Sequence, residues 1–155
     1  MNIFALDENP ATAAGWHSDR HVVKMTLETA QILSTVHHAF GNPVRYKPTH
    51  PKHPCTLWAG GTAANYRWLV ALGLALAAEY TQRYGKTHAC AALFDGELSN
   101  PPPLLTGDIQ TPFALAMPDA CKRTDPVESY RAYYQRKKDD HAWMTWKNSP
   151  PAWLA

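Results

Sequence analysis

The stretch His17–Phe40, HSDRHVVKMTLETAQILSTVHHAF, decides the fold of this chain. It contains no Pro or Gly, and Gly41 follows it, so it predicts about six turns of helix closed by a C-terminal glycine. Ser18 or Asp19 can cap the start by accepting from the free N–H groups of the first turn. At about 100° per residue, Val22, Val23, Met25, Leu27, Ala30, Ile32, Leu33, Val36 and Phe40 cover well over half the circumference. A helix of that kind is buried on most sides. One narrow polar stripe remains, made of His17, His21, Lys24, Glu28, Gln31, Thr35 and His38 at steps of three and four.

The stripe admits two readings. In one it is a solvated face with a Lys24–Glu28 pair, worth a few tenths of a kcal/mol. In the other it is the wall of a polar site, where a carboxylate, an amine and several imidazoles sit on one rigid element suited to acid–base chemistry. Burial of Glu28 against a cleft would separate the two.

Working outward, 155 residues are enough for one domain that buries roughly two-thirds of its unfolded surface. Fifteen Lys and Arg oppose 13 Asp and Glu, which excludes a grossly basic coating protein but leaves room for a local basic patch. Cys55, Cys90 and Cys121 are odd in number and none sits in a C-x-x-C pair, so neither a disulfide framework nor a thiolate zinc site is expected. The chain opens without a signal peptide, and Trp68–Ala78 is too short and too closely flanked by charge to span a bilayer. These features point to a soluble protein of a reducing cytoplasm, the host cytoplasm if a phage encodes it, with no membrane partner.

Before the central helix, Asn2–Leu6 reads as a short buried strand or extended lead-in, and Asn9-Pro10 as the start of a short helix ending near Gly15 and Trp16. After it, GNPVRYKPTHPKHP (residues 41–54) is an ordered loop with four prolines. Arg45, Lys47, His50, Lys52 and His53 make it the most basic stretch, with Tyr46 interleaved. It suits phosphate contact and base stacking, or is simply a solvated loop, or pairs His50 and His53 on a metal. A second long helix runs from Ala63, capped by Thr62, to Tyr84 and the cap glycine Gly85. Glu79, Arg83, Lys86 and His88 cluster around its exit. Beyond it come one or two helical turns near His88–Phe94, a Pro-rich loop, a short helical segment Phe113–Met117, and a last helix Asp125–Trp146 with an approximate capping box at Asp125 and Glu128. Trp143, Trp146 and Trp153 are expected to close the core. No repeat, G-x-G-x-x-G, P-loop or H-E-x-x-H is present. The expected fold is mainly α: a helical bundle of three principal helices with long Pro-rich loops, spanning 1–155 as one domain.

The motifs NIF-x-LD, H-x-DRHVVKM-x-LETAQIL, YKPTH-x-x-HPC-x-LWA, EYT-x-RYGK-x-H and TPFA-x-AMPD resemble a family of small proteins found in phage genomes and some bacteria. A more distant resemblance is to the pyrimidine-dimer DNA glycosylases of the phage endonuclease V type, compact all-helical proteins of similar size. In these an amine attacks the sugar C1′ and a glutamate on an early helix supports the Schiff-base chemistry. Glu28 matches that glutamate, the middle helix ending RYG matches in layout, and Tyr130–Tyr134 matches an aromatic C-terminal segment. One departure concerns the amine. That family uses the α-amine of the second residue, whereas Asn2 behind Met1 is a poor substrate for removal of Met1, so the resemblance leaves Lys24 as the amine on this helix. A lysine nucleophile needs its pKa lowered by burial or neighbouring cations; a protonated His21 would help, and Glu28 one turn away would oppose it.

The resulting expectation is an enzyme acting on DNA bases, a glycosylase/lyase-like base-excision or base-modification activity. Glu28, Lys24 and His21 would be the reacting groups, and Lys47, His50, His53, Arg83, Lys86 and His88 would hold substrate or phosphate. No metal ligand set and no cofactor are expected. An enzyme acting on free nucleotides, a non-catalytic DNA-binding accessory protein, and a metal enzyme built from His17, Asp19, His21, His50 and His53 are the competing classes. For a DNA-binding chain, removing charge at Lys47 and Arg83 would flatten the salt dependence of affinity by about one unit per contact.

Overall fold

Four of the six helices, α2 and α5 being the exceptions, begin where the sequence supplies a side-chain acceptor or a proline. In the computed structural model, which describes residues Met1–Ala155, Asn9 accepts from the N–H groups of Ala11 and Thr12 and opens α1 (Pro10–Trp16). α2 spans Asp19–Ala39, two residues later at its start than the sequence reading, because His17 is extended; Ser18 takes the cap position, but the expected side-chain cap hydrogen bond does not form. His53 accepts from the Cys55 N–H ahead of α3 (Pro54–Ala59). Thr62 accepts from the Asn65 N–H ahead of α4 (Ala63–Tyr84), and Gly85 ends α4 in the left-handed region at φ 66°. α5 (Ala91–Asp95) is short, and α6 (Pro126–Asp140) follows a single 3-10 turn at Asp119–Cys121. No strand forms, and the fold class is mainly α as expected.

α2 and α4 pack together, with α1 against α4 and α3 against α2. α2 is more enveloped than its sequence pattern implied. Thr26, Ser34 and Thr35 are buried because each hydroxyl donates to the carbonyl four residues back, at 2.6, 2.7 and 2.8 Å, which satisfies it within the helix. α6 joins less directly. Its fully buried Tyr130 and Tyr134 reach across the N-terminal segment, where Tyr134 Oη accepts from the Ser18 N–H at 2.8 Å and Tyr130 Oη donates to Ala114 O at 2.6 Å.

Asn2–Leu6 is extended, forms no strand, and is almost wholly buried between α2 and α6. The Phe4 ring stacks on His21 at 4.5 Å and meets the Tyr134 ring edge-on at 5.5 Å. Its backbone sits at φ 36°, a conformation costing roughly 1–2 kcal/mol for a side chain of this bulk. The packing around the ring holds it there.

Three expected elements differ. The last helix stops at Asp140 rather than Trp146, because His141 is extended and the tail turns back to α2, where Asp19 accepts from Lys147 N–H at 2.9 Å and from Thr145 Oγ1 at 3.2 Å. Phe113–Met117 is not helical. Pro112 and Pro118 bracket too few residues to nucleate a helix, and the carbonyls of Ala114 and Ala116 accept from Tyr130 and Asn2 instead. At Asp125 the cap forms, but Glu128 pairs with Arg131 at 3.2 Å rather than closing a capping box. The tryptophans do pack on the core: Trp146 Nε1 donates to Trp16 O at 2.9 Å, and Trp153 lies against the Trp16 ring. The three cysteines are free and buried, and no helix is long and apolar enough to cross a membrane.

Gly73 leaves no room for a side chain, since a Cβ placed there would fall on the Phe94 ring. Helix propensity alone would make Gly73→Ala stabilising by about 1 kcal/mol. The overlap should dominate, and Gly73→Ala is expected to destabilise by about 1–3 kcal/mol, read as a lower melting temperature by calorimetry. An unchanged or raised melting temperature would contradict this packing.

Candidate active site

Three segments converge on one small polar cavity of about 170 Å³. α2 contributes His21, Lys24, Met25 and Glu28, whose spacing of three and four residues puts them on one face. The start of the chain contributes Met1, Asn2 and Phe4, and α6 contributes Tyr133 and Lys137, again four residues apart.

Glu28 is 7% exposed, so the polar stripe of α2 is not a solvated face at its centre. Its Oε2 lies 3.4 Å from the Met1 α-ammonium and accepts from the Asn2 N–H at 3.1 Å. Its Oε1 lies 3.6 Å from Lys24 Nζ, on a side chain that is 66% exposed. The Asn2 side chain fixes this start of the chain, with Oδ1 accepting from the Ile3 and Phe4 N–H groups and Nδ2 donating to Ala116 O at 2.8 Å. A buried carboxylate thus faces the N-terminal amine, one lysine and one main-chain donor.

His21 is neutral here. Burial, with His17, Lys137 and Lys24 adding positive charge nearby, pushes its pKa down to about 2. Tyr134 Oη accepts the Ser18 N–H and stands 2.9 Å from His21 Nδ1, within hydrogen-bond distance. His21 thus lines the cavity as a neutral ring tied to α6 through Nδ1. It does not supply the imidazolium that would depress the basicity of Lys24. That condition is met at Lys137 instead: burial first, then the Lys24 charge, lower its pKa, with Asp140 opposing. Lys137 Nζ lies 5.0 Å from the Tyr133 ring centre and 6.0 Å from that of Phe4. No carboxylate lies within ion-pair distance of it.

The residues expected to hold phosphate are not gathered into this cavity. Arg83 is buried at the far end of α4, donating to Glu79 Oε2 at 2.9 Å, His17 O at 2.8 Å, Asp19 Oδ1 at 3.2 Å and Gly15 O at 2.9 Å. Two carboxylates already offset its charge, so it ties α1, α2 and α4 together. Lys86 is exposed beyond the helix end. His88 accepts the Cys90 N–H on Nδ1, and its Nε2 meets Val23 O at 3.1 Å, which pins this turn to α2. Lys47 lines a neighbouring hollow of about 370 Å³ with Leu27 and Gln31, one turn along α2. His50 is exposed at φ 48° beside Thr49. His53 is closer to the chemistry. Burial lowers its pKa most, the N-terminal ammonium lowers it further, and Glu28 opposes. His17, Asp19, His21, His50 and His53 form no group that could hold a metal ion.

The largest concavity, about 570 Å³, lies on another face of α6 between Arg123, Asp125, Glu128, Arg131 and Trp153. Its central cation, Arg131, is already engaged by Leu6 O, Asp7 and Glu128. Volume therefore does not select the site; the convergence of amines on a buried carboxylate does. The sequence reading missed Met1, Asn2, Phe4, Tyr133 and Lys137. Only the four-residue spacing of Tyr133 and Lys137 marked them, within a run of similar basic residues.

The buried histidines make stability depend on pH. Burial holds His17 down to about 4 and His21 down to about 2, whereas both titrate near 6.5 when unfolded. Between pH 6.5 and about 4 the unfolded chain binds more protons, so stability is full above 6.5 and falls as pH falls through this window. Denaturant unfolding at pH 7.5, 6 and 5 should show a steady decline, and His21→Asn should flatten it. A flat profile in the wild type would contradict neutral burial.

A family model described as pyrimidine dimer DNA glycosylase matches residues 1–92 of the 155. No curated protein and no solved structure matches the chain. The matched stretch includes Met1, Asn2, His21, Lys24 and Glu28, while Tyr133 and Lys137 lie beyond it. With its buried glutamate set on an early helix and its all-helical build, the chain belongs to the pyrimidine dimer DNA glycosylase family.

Proposed function

We propose that this protein excises damaged pyrimidines from DNA, with the free α-amine at the start of the chain as nucleophile and Glu28 as its partner carboxylate. The observation that carries the reading is the contact of Glu28 Oε2 with the Met1 α-ammonium at 3.4 Å and the Asn2 N–H at 3.1 Å, inside a polar cavity. Either nitrogen, as a free amine, lies beside the same oxygen.

Burial favours the α-amine over Lys24 at this position. The Met1 amine is held inside the cavity against Glu28, on a residue whose side chain is 5% exposed. Lys24 is the alternative amine, 3.6 Å from Glu28 Oε1, but its largely solvated side chain lacks the burial that activates a lysine. In the proposed reaction the amine attacks C1′, the N-glycosidic bond breaks, and the base leaves with the bonding electron pair. Glu28 accepts the proton released by the amine, and its negative charge favours the cationic character that develops at C1′. The C1′–O4′ bond of the resulting glycosylamine then opens, O4′ taking the proton held by Glu28, and the Schiff base so formed has an acidified C2′–H, whose loss expels the 3′ phosphate. The neutral His21 imidazole is a hydrogen-bonding group on the same wall, suited to hold the sugar or base.

Glu28→Gln is the direct test. Gln retains an acceptor for the Asn2 N–H but cannot take a proton. On ultraviolet-irradiated duplex DNA, turnover should fall by roughly two to four powers of ten, with DNA binding retained. Wild-type-like strand cleavage by Glu28→Gln would end the catalytic assignment.

A further inference from the structure

The cavity holds more positive charge than Glu28 can balance. Lys24 reaches it from α2 and Lys137 from α6, and both line it together with the Met1 amine. The basic residues on either side of Lys137 are engaged elsewhere: Arg136 lies 3.7 Å from Asp140, and Lys138 donates to Ala155 O at 2.6 Å. Lys137 alone of that run lines the cavity, its ammonium 5.0 Å from the Tyr133 ring centre and 6.0 Å from that of Phe4, without a carboxylate partner. Two ammonium groups from different helices repel each other when the cavity is empty. An anion between them turns that repulsion into attraction. Phosphate contacts fix the register of a strand without reading its sequence, and a sugar presented to the Glu28 amine carries its phosphates on either side.

We propose that Lys24 and Lys137 together clasp one phosphate next to the damaged nucleotide, and so set its C1′ against the amine and Glu28. The clasp rests on the glycosylase reading and gives Lys24 a positioning role in place of a nucleophilic one. It adds Lys137, outside the family-matched stretch, to the site.

The test uses the full-length protein and a duplex with one tetrahydrofuran abasic analogue, which has no base to lose. In a matching set, a single phosphate near the analogue is replaced by an uncharged methylphosphonate. Affinity is measured against salt concentration for wild type, Lys24→Met, Lys137→Met and the double variant, with melting curves to check folding. The double variant should lose about one unit of salt slope, the value for one phosphate, and not two. One methylphosphonate position should remove the same unit from the wild type and make both lysine substitutions silent. Borohydride trapping on an abasic duplex at saturating enzyme should persist in Lys24→Met. Lysine effects that vanish on two different methylphosphonates, or on none, overturn the clasp while leaving the glycosylase reading intact. A wild type that does not distinguish the abasic duplex from an intact one overturns the glycosylase reading, and the clasp with it.

Discussion

A carboxylate buried at the middle of a long helix must be neutralised, or it costs several kcal/mol. Glu28 is that carboxylate, and the arrangement around it follows from the need. The Met1 amine and the Asn2 N–H meet one oxygen and Lys24 the other, which draws the start of the chain across α2. Asn2–Leu6 then occupies the space between α2 and α6 as buried, extended chain. Phe4 is held in a left-handed conformation by the rings of His21, Tyr133 and Tyr134. The same contacts that fill the core place an amine, a carboxylate and a neutral imidazole in one cavity.

A second knot holds that geometry from the start of α2. Arg83 joins α4 to the carbonyls of Gly15 and His17 and to Asp19. Asp19 in turn receives Lys147 N–H and Thr145 Oγ1, which returns the C-terminal tail to the start of α2. Trp146 and Trp153 pack on Trp16 beside this point. Because His17 and His21 are buried between the two knots, any opening here would expose imidazoles whose neutrality depends on burial. The precision demanded of the cavity is thus supplied by contacts well outside it.

Local signals made the helices legible in the sequence. Asn9-Pro10, Thr62, Gly85 and Asp125-Pro126 each act within a few residues, and each marks a real helix boundary. The wall formed by His21, Lys24 and Glu28 was legible for the same reason, since helical spacing alone puts them on one face. The rest depends on partners far away in the chain. Nothing near Asn2 announces that Glu28 and Ala116 will receive it, and nothing near Phe113 announces that Tyr130 will take the carbonyl that a helix would have used. Arg83 at a helix end reads equally as a phosphate contact or as an internal tie, and only the positions of Gly15, His17 and Asp19 decide it. Lys137 was hidden among Arg136 and Lys138, whose partners lie elsewhere.

The central claim is that the amine held by Glu28 at the chain start forms the covalent bond to the sugar. Borohydride reduction of the protein with an abasic duplex freezes that bond, and digestion followed by mass spectrometry locates it. Trypsin separates the start of the chain from Lys24 by cutting after Arg20. The account predicts that the sugar remnant is found on the α-nitrogen of the first residue of the purified protein. A remnant on the peptide carrying Lys24, or on that carrying Lys137, would contradict it.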